Sequence, residues 1–123
     1  MKEQLLLTNN PLVNQEENGP AVRRVDGLGL NAVFEAALEL VQSGYKLVSA
    51  PLPPNVPLIR APYRSLILEK NCRQYDAVGI RELARAEERA RTLERPIFND
   101  QNARDAAFID REILKRALRE CQG

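Results

Sequence analysis

The chain has 123 residues, 44% of them hydrophobic and 28% charged, with 18 basic side chains against 17 acidic ones for a formal net charge of +1. That length suits one domain with its own core, and the balanced charge sets up no global field to draw in a polyanion or a membrane surface. Three Tyr, three Phe and no Trp are scattered along the chain, so the aromatic and basic surface that stacks single-stranded bases is missing, and neither nucleic acid nor membrane is an expected partner.

No apolar run is long enough to span a bilayer. Leu5-Leu6-Leu7 is too short for the core of a secretory signal and no small-residue cleavage site follows it, so the expected location is the cytoplasm. Cys72 and Cys121 are far apart and outside any C-x-x-C pattern; both read as thiols rather than a disulfide.

Residues 4–8 form a short continuous apolar run, the pattern of a strand covered on both faces. Asn9-Asn10-Pro11 ends it and predicts a short helix, with Asn10 as N-cap and Pro11 at the first helical position. Residues 21–25 carry Arg23 and Arg24 and suit an edge strand. A helix is expected over 31–43, where Val33, Phe34, Ala37, Leu38, Leu40 and Val41 share one face, and Gly44 supplies its C-terminal stop. Residues 45–49 then read as a strand, and strand, helix and strand in succession imply a right-handed parallel crossover.

Residues 50–62 hold five of the eight prolines and predict a stiff, extended loop. A strand is expected over 64–69. A helix follows over 76–94, burying Ile80, Leu83, Ala84, Ala90 and Leu93, with Gly79 a weak point near its start. The last helix, over 102–121, carries Ala106, Ala107, Ile113, Leu114, Ala117, Leu118 and Cys121 as an apolar stripe, with Asn102 and Asp105 at its N-cap and third position. Asp110, Arg111, Glu112, Lys115, Arg116, Arg119 and Glu120 read as its solvent side, and the alternation of Arg81, Arg85 and Arg89 with Glu82, Glu87 and Glu88 as another solvated face.

The order of elements implies a single α/β domain over 1–123, a three-layer α/β/α sandwich with a short, mainly parallel sheet. Residues 1–95 make the core; 96–123 form a linker and a C-terminal helical extension whose stripe covers the sheet or meets a second chain in self-association.

The chain has no histidine, which removes the commonest general base and metal ligand. No triad and no zinc site is expected, and Asp26-Gly27-Leu28-Gly29-Leu30-Asn31 lacks both the third glycine of a dinucleotide fingerprint and the lysine of a P-loop. No catalytic residue and no cofactor is therefore assigned. The candidate ligand-binding residues are polar groups at the ends of strands: Thr8, Asn9 and Asn10 beside an expected helix start, Ser49 leading into the proline-rich loop, and Tyr63, Arg64 and Ser65 closing it. There they line an anion-friendly crevice, or else cap and satisfy backbone groups.

The segments Leu5-Leu6-Leu7-Thr8-Asn9-Asn10-Pro11-Leu12-Val13, Gly44-Tyr45-Lys46-Leu47-Val48, Pro51-Leu52 and Pro62-Tyr63-Arg64-Ser65 resemble the GrdX family over roughly residues 4–94. Those proteins are encoded beside glycine, sarcosine or betaine reductase components. The resemblance implies an accessory role near such a system, with reductase components as partners. This chain departs from the family pattern at Ala50, where a histidine is usual, and at Pro53-Pro54-Asn55, which replaces a loop bearing glycine and serine. Two functions are open: a non-catalytic accessory or regulatory protein, or a domain that binds or transforms a small anionic or amino-acid-like ligand.

Overall fold

The computed structural model describes residues 3–26, 29–49, 62–70, 76–92 and 100–122. In chain order these hold strands β1 (Gln4–Thr8) and β2 (Ala21–Arg24), helix α1 (Leu30–Gln42), strands β3 (Tyr45–Leu47) and β4 (Ser65–Lys70), and helices α2 (Ala77–Thr92) and α3 (Asp100–Gln122). The proline-rich residues 50–61, Gly27, Cys72 and Leu93 lie outside the described residues, as does the side chain of Cys121.

The strands form one mixed sheet in the order β2-β1-β4-β3. β1 pairs parallel with β2 and antiparallel with β4, and β4 pairs antiparallel with β3. The sheet is mostly antiparallel, a correction to the mainly parallel sheet expected above. β2, α1 and β3 do follow one another with both strands running the same way, but they occupy opposite edges. β4 enters between β1 and β3 in the reverse direction. An apolar run such as Leu66-Ile67-Leu68 reports that both faces of a strand are covered and is silent on the direction of its neighbours.

Register decides what each face carries. Leu5 stands opposite Leu68, Leu6 opposite Ile67 and Leu7 opposite Leu66, and successive side chains alternate between faces. Leu5, Leu7, Leu66 and Leu68 pack with Val33, Phe34, Ala37 and Val41 of α1 and with Leu83 and Ala86 of α2. Leu6 and Ile67 point the other way and meet Val13 and Leu114 of α3. Among the described helices none is long and apolar enough to cross a membrane.

The helix boundaries follow from local chemistry. α1 ends with Ser43 as C-cap, and Gly44, at φ 112°, donates its N–H to the Val41 carbonyl at 3.2 Å; a side chain is disfavoured in that left-handed region. Asn10-Pro11 opens a turn instead of the expected short helix. The Leu12 N–H donates to Asn10 Oδ1 at 2.9 Å and the Val13 N–H to the Asn10 carbonyl at 3.2 Å, so the Asn side chain closes an Asx turn in place of capping a helix. In α2 Ala84 is exposed and Ala86 is buried in its stead. α3 begins earlier than expected, which leaves Asp105 inside the helix, accepting from Gln101 Nε2 at 2.9 Å.

Asp76 is the N-terminal anchor of α2. One carboxylate oxygen accepts from the Gly79 N–H at 2.9 Å, and the other accepts from the Leu47 N–H on β3 at 2.9 Å. A Cβ on Gly79 would fall 2.1 Å from Asp76 Oδ2. Glycine at this position makes room for the cap. Gly79→Ala should gain about 1 kcal/mol of helix propensity yet lose the cap and strand anchor, about 1 kcal/mol for the cap and 1–3 for a stranded N–H. The expected result in urea denaturation is a net loss of about 1–3 kcal/mol.

Candidate functional site

The β1–β4 register places Thr8 directly opposite Ser65. Both belong to the face that carries Leu6 and Ile67, under α3. Thr8 Oγ1 and Ser65 Oγ lie 2.7 Å apart. Ser65 Oγ lies 2.6 Å from Asp110 Oδ2, and the Ser65 N–H donates to Asp110 Oδ1 at 3.1 Å. Asn10 Nδ2 donates to Asp110 Oδ2 at 2.9 Å and to the Ala107 carbonyl at 2.8 Å. The Asn10 N–H completes the chain by donating to Thr8 Oγ1 at 2.9 Å.

Proton directions follow from counting donors. A carboxylate only accepts, so the single Ser65 hydroxyl proton goes to Asp110. Ser65 Oγ then accepts the Thr8 proton, and Thr8 Oγ1 accepts from the Asn10 backbone. The result is a one-way relay of hydrogen bonds ending on one buried carboxylate, and each link is polarised by the next. Thr8 and Asn10 are 0% exposed and Asp110 is 5% exposed.

Asn9 faces the neighbouring backbone. Its Nδ2 donates to the Pro62 carbonyl at 2.8 Å and to the Gly29 carbonyl at 3.3 Å, while its Oδ1 accepts from the Arg64 N–H at 2.8 Å. One amide thereby ties the end of β1 to the entry of β4 and the start of α1. Arg64 is buried as well. Burial pushes its guanidinium below the ordinary arginine value, and the negative charge of Asp110 opposes that shift. A guanidinium stays protonated in proteins, so a buried positive charge leans on Asp110 for compensation.

The remaining sequence candidates lie apart from this cluster. Ser49 Oγ accepts from the Ile67 N–H at 2.9 Å, extending the β3 edge of the ladder. Tyr63 is half-buried and lines a groove of about 310 Å³ with Pro11, Leu12, Ala103, Arg104 and Ala107. Asp110, assigned above to the solvent side of the last helix, is instead the hub of the cluster.

A family model described as GrdX-like protein matches residues 5–119. The chain belongs to the GrdX-like family. The match takes in all but the last residues of α3, beyond the residues 4–94 that carry the resemblance in sequence. No curated protein and no solved structure matches the chain. In this GrdX-like chain the two segments Thr8-Asn9-Asn10-Pro11 and Pro62-Tyr63-Arg64-Ser65, separated by fifty residues of sequence, interlock in space through Thr8–Ser65, Asn9–Pro62 and Asn9–Arg64.

Proposed function

We propose that this GrdX-like protein is a non-catalytic accessory or regulatory protein of an amino-acid reductase system, acting by contact with glycine, sarcosine or betaine reductase components. The observation that supports this reading is the inward commitment of the polar cluster. The Thr8, Asn10 and Ser65 side chains bond to one another and to Asp110 under α3, an arrangement suited to fixing a helix on a sheet. The link to the reductase rests on what the family implies. Self-association is a companion proposal, motivated by Phe108 and Ile109, which are 51% and 40% exposed on α3.

The test is biolayer interferometry of immobilised protein against each purified reductase component, with sedimentation velocity of the protein alone. Saturable binding of at least one component, weakened by Phe108→Ser, is the expected result. Absence of binding to every component would defeat the proposal.

A second reading, a site for a small anionic or amino-acid-like ligand, draws on the groove beneath Tyr63, where a phenol and Arg104 flank Pro11 and Leu12. Arg104→Ala and Tyr63→Ala, both at the groove, test it by thermal shift, since a ligand held only by the folded state raises the melting temperature. A shift given by a ligand in the parent protein and lost in both variants is the outcome this reading requires.

A further inference from the structure

Between α3 and the turn before β2 lies a separate groove of about 500 Å³, within the usual size range of small-ligand sites. Its floor is apolar, formed by Leu6, Val13, Leu114 and Leu118. One wall is α3, where Arg111, Lys115 and Arg119 recur every four residues, about 6 Å apart along the axis. The other wall is the turn before β2, which carries Glu16 and Glu17.

That turn is built in advance of any ligand. Gln15 Nε2 donates to the Pro20 carbonyl at 2.9 Å, and Gln15 Oε1 accepts from the Val22 N–H at 2.9 Å. Arg24 reaches up to the Asn10 carbonyl at 2.6 Å and to the Val13 carbonyl. Asn18 takes a left-handed φ of 64°, and the Gly19 N–H closes the turn on the Glu16 carbonyl at 3.1 Å. A wall held this way loses little freedom when a ligand arrives.

The two walls are oppositely charged and do not meet. Among the described residues no ion pair joins Glu16 or Glu17 to Arg111, Lys115 or Arg119. Arg111 has its guanidinium carbon 5.5 Å from the Phe108 ring centroid, and its Nε lies buried without a hydrogen-bond partner. Arg111 lines that end of the groove, so a carboxylate there would meet its guanidinium in bidentate form after a turn of the side chain.

We propose that this groove binds a short apolar peptide of two or three residues, its C-terminal carboxylate on the Arg111–Lys115–Arg119 wall, its terminal ammonium toward Glu16 and Glu17, and its side chains on the leucine floor. Each alternative leaves a feature unused. A simple anion meets the two glutamates, a simple cation meets the helix wall, and a neutral apolar molecule answers neither. A free amino acid carries both charged groups on one carbon, whereas each added residue sets them about 3.3–3.6 Å further apart, as two opposed walls require.

The experiment is a titration of the ¹⁵N-labelled protein with Leu-Leu, N-acetyl-Leu-Leu, Leu-Leu-amide, free leucine and octanoate, read by amide chemical shifts. Leu-Leu should move the amides around Val13 to Gly19 and Leu114 to Arg119. Blocking either terminus should weaken binding about tenfold or more, as should Lys115→Glu or Glu17→Lys, both changes at exposed positions that leave the core intact. Octanoate or free leucine binding as well as Leu-Leu would overturn the proposal. So would no shift at millimolar Leu-Leu, or unchanged binding in Lys115→Glu. None of these outcomes depends on whether a reductase component binds.

Discussion

Asp110→Ala should cost about 3–5 kcal/mol of unfolding free energy in urea, the range for breaking a buried charged cluster by removing one partner. Three donors lose their acceptor at once: the Ser65 N–H, the Ser65 hydroxyl and one Asn10 N–H. Refilling by water is restricted, because Ser65, Asn10 and Asp110 are all buried. Arg64 loses the negative charge that offsets its desolvation. Domains of this kind are stabilised by about 5–15 kcal/mol in all, so a loss of this size removes a large share of the margin.

Part of the loss is recovered when the buried cation is removed as well. Asp110→Asn with Arg64→Met removes the buried cation together with the carboxylate that answers it, and the Asn side-chain oxygen still accepts from Ser65. The double variant should be more stable than Asp110→Asn alone. A double-mutant cycle should give a coupling of about 1–3 kcal/mol. A coupling near zero would mean that Arg64 is compensated elsewhere and that Asp110 serves only the hydroxyl relay.

Asp110 was the residue most in need of the structure. Its neighbours on the stripe are Ala107 and Leu114, spaced three before it and four after it, which is the spacing of one helix face. The position therefore belongs to the buried side by period and to the exposed side by residue type. Residue type points outward more strongly, because a charged residue is rarely buried without a partner. Its partners, Ser65 and Asn10, are supplied by β4 and by the turn after β1, and nothing local to α3 announces them. The strands β1 and β4 and helix α1 were legible because each carries its own pattern. Strand order and direction were not, since they depend on how the chain returns at Ser65.

The second large effect lies on the opposite face of the sheet. Phe34 is 0% exposed at the centre of the cluster that joins α1, α2, Leu7 and Leu66. Phe34→Ala leaves a cavity that a close-packed core refills only in part, so it should cost about 3–5 kcal/mol. Leu114→Ala probes the other face, where the buried cluster is smaller and consists of Leu6, Val13, Ile67 and Leu114; its expected cost is near the lower end of the 2–5 kcal/mol range for such truncations. Both faces rest on the same two strands, β1 and β4, with Leu6 and Ile67 standing between the leucines of the first cluster. The two variants should therefore lower the urea midpoint without changing the slope of the transition, as expected when one cooperative unit is weakened. A reduced slope or a biphasic curve in Leu114→Ala alone would show that α3 detaches first. The polar hub around Asp110 would then stabilise a docking equilibrium of α3 on a sheet already held by α1 and α2.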